Sequence, residues 1–403
     1  MLRTSSFLAG IAAFLPALAL LACNGAPADP GPSAAPVATF ETSVEVALDA
    51  LGRSAPVTVP LGAGAGALVI RARLPDASAG PARCFQLDGV RDAGGRTWVP
   101  PADSAADWGD HCTTCAQRVS VGQGYGLFAF PNDGAPLPDA ASVDLRVSLR
   151  DCATRLPFDP ALNGAAPPRV VVESLRVPAR DAAARLHLPV VFAFTRAAQF
   201  HAASAANDPI FSSARAELSA GLDAAGIDLD VAALVDVAGP KGALIYREAD
   251  RSALDALDAE ARAAARARGV AVDRALFVIL APCILRDPGP SGGGGQPEGV
   301  TAHIPAGYPA GGHADAVFLH TTVCGDPAGA GYWPSGEPLG HVMLHEVGHA
   351  LGLYHAVEAD GRRDHLDDTD EHNIMFFRPL SPDARGLSPR QIHVLRHHPL
   401  LRE

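Results

Sequence analysis

The sequence predicts two structural classes in series: an all-β sandwich over residues 39–180, then an α/β region over residues 185–403. Three observations predict this. Short apolar or alternating runs broken by Gly, Pro and Asp fill the first region, with no long 3.6-residue periodicity. In the second region strand-like runs alternate with helical ones. The chain is 403 residues long, 48% hydrophobic and 19% charged, enough apolar material for real cores and against a wholly disordered chain.

The β-type runs are Val44–Leu48, Ala67–Ala72, Gly126–Phe130, Val143–Leu149 and Val170–Val177. The segment Val143–Cys152 alternates well, which gives that strand one apolar and one polar face. Leu188–Thr195 then reads as a strand buried on both faces. A helix is expected over 208–226, since Ile210, Ala214, Leu218 and Leu222 recur at helical spacing behind Asn207-Asp208-Pro209. Ile227–Val237 is a second strand and Ser252–Gly269 an Ala/Arg-rich helix. Ala275–Ala281, Val300–Ile304 and Ala316–His320 complete the strands, and Asp287–Gly299, with four consecutive glycines, is a loop.

The first 22 residues carry Arg3 and then an apolar run to Ala22, shorter than the ~20 residues a bilayer span needs. They read as an export signal. Leu20-Leu21-Ala22-Cys23 resembles a bacterial lipoprotein signal, which implies acylation of Cys23 and a membrane tether without a span. Asn24, in place of Asp, points to the outer membrane as the location. Residues 23–38 form a Pro/Ala-rich linker. The net charge of -12 makes the chain a poor partner for phosphates and excludes nucleic acid as a ligand class. A monomer is expected.

The chain has seven cysteines. Setting Cys23 aside leaves Cys84, Cys112, Cys115, Cys152, Cys283 and Cys324, an even set that suits disulfides in an exported protein. If the early and late groups do not mix, Cys283 pairs with Cys324 and the first four allow three pairings.

The chemistry is concentrated at His345-Glu346-Val347-Gly348-His349-Ala350-Leu351-Gly352-Leu353-Tyr354-His355. On a helix His345 and His349 share one face, one turn apart, so both imidazoles can reach one metal ion. Glu346 lies beside that face. Gly352 can adopt the positive φ that ends a helix and turns the chain back, which brings His355 within reach as a third ligand. Three protein ligands plus an open position is the catalytic arrangement for zinc.

This stretch matches the five fixed positions of the metzincin signature, and Asn373-Ile374-Met375 is similar to the methionine turn of that clan. The chain from 188 on therefore resembles a metzincin zinc metallopeptidase, matrixin or pappalysin-like. The resemblance implies a twisted sheet with an active-site helix, Zn²⁺ bound by His345, His349 and His355, and Glu346 as general base. It also implies Met375 as an apolar floor and Phe376 and Phe377 as walls of the substrate pocket. A protein or peptide is the implied substrate. Ala356 stands where matrixins carry Asp, and Phe377 stands where some metzincins carry a tyrosine. Pro81-Ala-Arg-Cys84 resembles a fragment of a cysteine-switch pro-segment, but a disulfide is expected for Cys84.

His341, one turn before His345, is expected to be structural. The acidic stretch Asp364–Glu371 suits either Ca²⁺ or a solvated loop. Residues 39–180 suit a pro-region, a binding module or a structural unit equally. Two functions remain open: a lipid-anchored zinc endopeptidase, and a surface-binding or adhesion protein whose zinc site is silent.

Overall fold

The computed structural model describes residues 40–75, 83–99, 124–152, 156–247, 250–287, 295–307, 315–325, 331–359, 361, 363–364, 366–381, 384 and 386–403. The stretch expected to be an export signal, the expected linker, Cys23, Cys112 and Cys115 lie outside them. Among the described residues, no helix is long and apolar enough to cross a membrane.

The first part consists of strands β1 (Thr42–Ala47), β2 (Val57–Pro60), β3 (Ala65–Arg73), β4 (Arg83–Asp92), β5 (Thr97–Val99), β6 (Tyr125–Phe130), β7 (Ser142–Asp151) and β8 (Arg169–Pro178). They pair antiparallel in two four-stranded sheets, ordered β1-β8-β3-β6 and β2-β7-β4-β5. Strand β7 keeps the alternation of its sequence: Val143, Leu145, Val147 and Leu149 are buried, while Asp144 and Arg146 face out. These residues share one apolar cluster with Leu68, Ile70, Phe85, Phe128 and Val172 from both sheets. Strands β2, β4 and β5 are additions to the sequence reading. Strand β4 escaped it because the register shifts between Leu87 and Val90, at a Gly89 with φ 107°, and an irregularity of that kind breaks the two-residue period. A disulfide joins Cys84 on β4 to Cys152 just after β7.

The second part has a five-stranded sheet of β9 (Leu186–Thr195), β10 (Ile227–Val237), β12 (Leu276–Ala281), β14 (Gly299–Thr301) and β15 (Val317–His320). A separate parallel pair is formed by β11 (Leu244–Tyr246) and β13 (Ile284–Arg286). The five-stranded order is β10-β9-β12-β15-β14, parallel except for β14, which runs antiparallel to β15 at the edge. The four longer helices are α1 (Pro209–Asp223), α2 (Ser252–Arg266), α3 (Gly336–Ala350) and α4 (Pro389–Arg396). The protein is thus a mixed α/β fold with several sheets.

Both faces of the five-stranded sheet are covered, which explains the unbroken apolar runs of β9 and β12. Leu188, Val190, Phe192 and Phe194 join the cluster that holds α1 and α3 residues, whereas Val191 and Ala193 join the cluster that holds α2 residues. Helix α1 starts where Asp208 accepts from the amides of Ile210 and Phe211, both at 2.9 Å, a cap worth about 1 kcal/mol.

Helices α1 and α3 approach closely because glycines line the contact. A Cβ on Gly340 would lie 2.5 Å from Glu217 Cβ, and one on Gly221 would lie 2.3 Å from Leu344 Cδ2. His341 reinforces this packing through Glu217 Oε1 at 3.1 Å and takes no part in the histidine cluster. Cys283 and Cys324 form the second disulfide, behind the approach to β14. Helix α4, absent from the sequence reading, begins with a Ser388/Gln391 capping box. Arg180, just beyond β8, donates to the carbonyls of His398 at 3.0 Å and Leu401 at 2.7 Å, and so ties the C-terminal segment to the end of the first part.

Candidate metal centre

Helix α3 carries both central histidines. Ser335 precedes its first residue in an extended conformation but makes no side-chain cap bond. The helix ends at Ala350, and Gly352 has φ 106°, the left-handed conformation expected for the turn towards His355. The amides of Gly352 and Leu353 return to the carbonyls of His349 and Gly348, both at 2.9 Å.

The turn works as the sequence implied. One ligand atom from each of His345, His349 and His355 lies within 4.8 Å of the others, and among the described residues they are the one such group of three or more His, Cys, Asp or Glu side chains. Ring centroids are 4.6 Å apart for His345–His349, 5.2 Å for His345–His355 and 4.8 Å for His349–His355. His345 is 2% exposed and His349 7%, whereas the side chain of His355 is 27% exposed, so the cluster opens on its side.

Each ring is oriented through Nδ1. His345 donates to the Ile374 carbonyl at 2.8 Å, His349 to the Leu353 carbonyl at 2.7 Å, and His355 to Glu358 Oε2 at 2.9 Å. A carbonyl only accepts, so Nδ1 of His345 and His349 carries the proton and Nε2 offers a bare lone pair. Burial, with repulsion from His355, holds His345 down to about 3, and burial keeps His349 well below the usual histidine range. Both rings are therefore neutral near pH 7. Their Nε2 atoms nevertheless face each other at 3.1 Å with no proton to share. Two lone pairs directed at one point, with a third imidazole beside them, fit a cation between the rings. An all-imidazole donor set suits zinc, copper, iron or nickel.

Met375 is fully buried against helix α3. A Cβ on Gly348 would lie 2.7 Å from Met375 Sδ, so this contact requires a glycine at that point of the helix. Asn373 fixes the turn: its Oδ1 accepts from the Met375 amide at 2.9 Å and from Gln391 Nε2 at 2.8 Å. Sequence reasoning noted 373–375 as a unit but missed that the Ile374 carbonyl orients His345. It also missed Glu358 and Gln391, whose spacing carries no motif. Phe376 and Phe377 meet edge to face with centroids 4.7 Å apart, and the Phe377 amide bonds the Val357 carbonyl at 3.2 Å, two residues beyond His355.

Glu346 is 6% exposed, and its carboxyl is pushed up to about 7, mainly by burial, with Thr301 and His355 opposing. The acidic stretch is used internally. Asp364 accepts from Thr369 Oγ1 at 2.6 Å, Asp368 from Ser388 Oγ at 2.8 Å, and Asp367 pairs with Arg390 at 2.9 Å. Asp367 and Asp368 anchor the loop to α4, and the calcium expectation gains no three-ligand group among the described residues.

No protein-family model matches the chain. No curated protein matches it either. Among solved structures, metalloproteinase-II of Bacteroides fragilis aligns at 15% identity with a TM-score of 0.34, covering 56% of this chain and 62% of that one. The alignment thus leaves more than a third of that metalloproteinase unmatched. A Bacillus subtilis protein aligns at 9% identity and a TM-score of 0.15, covering 60% and 65% of the two chains. A family two carbohydrate esterase from Cellvibrio japonicus aligns at 8% and 0.11, covering 59% and 78%.

Proposed function

We propose that the chain is a zinc endopeptidase with a metzincin-like catalytic region, exported and held at the outer membrane by an acylated Cys23. The observation that carries this reading is the convergence of three imidazoles, each fixed through Nδ1, beside the buried carboxylate of Glu346. Zinc bound there would polarise a peptide carbonyl and acidify water. The protein supplies the rest. His345, His349 and His355 hold the ion, with zinc preferred among imidazole-binding metals because three histidines and an open position are its catalytic arrangement. Glu346 takes a proton from the attacking water and returns it to the departing amine, a role worth typically 10²–10⁴-fold. Met375 supports the helix from below, and Phe376 and Phe377 border the pocket for the residue after the scissile bond. In this reading residues 39–180 are a β-sandwich accessory or pro-domain.

The test is Glu346→Gln against wild type on a denatured protein substrate and a broad peptide library. Wild type should hold one zinc and cleave. The variant should hold zinc equally and lose at least about 100-fold in rate. Zinc-loaded wild type that cleaves no peptide would overturn the proposal in favour of a binding protein with a silent metal site.

A further inference from the structure

Glu346 is seated by the edge strand β14 as well as by its own helix. Residues 299 and 301 lie on the same face of that strand. A Cβ on Gly299 would lie 2.6 Å from Glu346 Cγ and 2.7 Å from its Oε1, so the carboxylate lies against bare backbone there. Two residues on, Thr301 Oγ1 is 2.6 Å from Glu346 Oε2 and 2.8 Å from the Glu346 carbonyl oxygen. The hydroxyl has one proton to give. The carbonyl already serves the helix as acceptor for the amide four residues on. Oε2 is the nearer of the two acceptors and has no helical donor of its own, so the hydroxyl proton goes to Oε2.

Strand β14 is a firm support. Gly299, Val300 and Thr301 pair in register with Leu319, Phe318 and Val317. His320 Nδ1 donates to the Pro297 carbonyl at 2.7 Å, which fixes the entry to the strand. Without the threonine hydroxyl, Oε2 keeps its place near the strand but loses the bond that selects one rotamer of the glutamate.

We propose that Thr301 is a positioning residue that holds the Glu346 carboxylate in its working orientation, with Gly299 leaving the room for it. The inference rests on the peptidase reading and adds to it a second structural element, the edge strand, as the holder of the base.

Thr301→Val keeps the branched shape and removes the hydroxyl, whereas Thr301→Ser keeps the hydroxyl. On a cleavable peptide, Thr301→Val should lower kcat by about 10-fold or more with KM within two-fold, a part of the general-base contribution. Thr301→Ser should restore kcat to within about three-fold of wild type. Zinc content should be unchanged in both, since the Thr301 hydroxyl bonds Glu346 and not one of the three imidazoles. The second readout is independent of turnover. In metal-free protein labelled with ¹³C-glutamate, the Cδ resonance lost in Glu346→Gln should move in Thr301→Val and stay in Thr301→Ser. Wild-type kcat in Thr301→Val with an unmoved resonance overturns the inference. So does equal damage in the Val and Ser variants, or loss of zinc in either, because each marks a structural role. Wild type that binds zinc and cleaves nothing refutes the peptidase reading and, with it, the positioning role. In that case the resonance still reports the hydrogen bond, so the two failures can be told apart.

Discussion

Gly348→Ala tests the coupling between helix α3 and the turn at Asn373–Met375. In an exposed helix interior this change would stabilise by roughly 0.5–1 kcal/mol, because alanine loses less backbone entropy than glycine. Here the new methyl would lie 2.7 Å from Met375 Sδ and 3.4 Å from its Cε. Met375 is completely buried, in the same core cluster as Val347 and Ile374. Overpacking of a filled core costs about 1–3 kcal/mol. The net expectation is a loss of on the order of 1 kcal/mol, opposite in sign to the helix effect. The turn also holds His345: its Nδ1 donates to Ile374, the neighbour of Met375. A shifted turn should therefore cost metal affinity about 10-fold or more, the usual scale for disturbing a group that orients a ligand. Denaturant unfolding of the metal-free protein would give the first quantity, and zinc competition against a chromophoric chelator the second. In a double-mutant cycle with Met375→Ala the two changes should offset each other in stability, since the smaller side chain makes room for the methyl. A Gly348→Ala protein that is more stable than wild type and binds zinc equally would refute the reasoning.

Two further outcomes are expected. Glu358→Ala removes the acceptor from His355 Nδ1 and should weaken zinc binding about 10–100-fold while leaving the fold intact, measured by the same competition; unchanged affinity would remove Glu358 from the site. Asp315, facing Asp258 and Arg262 of α2 together with Arg71 and Tyr125 of the first part, has its carboxyl pushed up to about 7, chiefly by burial. The folded chain then keeps a proton that the unfolded chain releases, so stability should fall as pH rises from about 4 to about 7, by at most about 1.4 kcal/mol per pH unit. Asp315→Asn should flatten that decline in denaturant midpoints of the metal-free protein, and parallel profiles for the two proteins would refute the assignment.

The local chemistry was legible in the chain because it is written in short spacings. Four residues of helix place His345 over His349, and only glycine takes φ 106° without penalty at position 352. The runs of β9, β12 and β15 could be read because two-sided burial makes them continuously apolar. Strand β4 could not, since its shifted register breaks the alternation that would announce it. Helix α4 is short, and its start depends on a capping box within a polar segment.

What only the folded chain decided are the partners that lie far apart in sequence. Cys84 has three candidate partners by count, and the pairing of β4 with β7 selects Cys152. Thr301 reaches Glu346 across 45 positions, and Ile374 reaches His345 across 29. Such contacts follow from how strands and helices pack, and packing depends on the whole set of buried surfaces at once. A motif names the atoms that could meet; the surrounding layers determine which donor turns each ring and which hydroxyl holds the carboxylate.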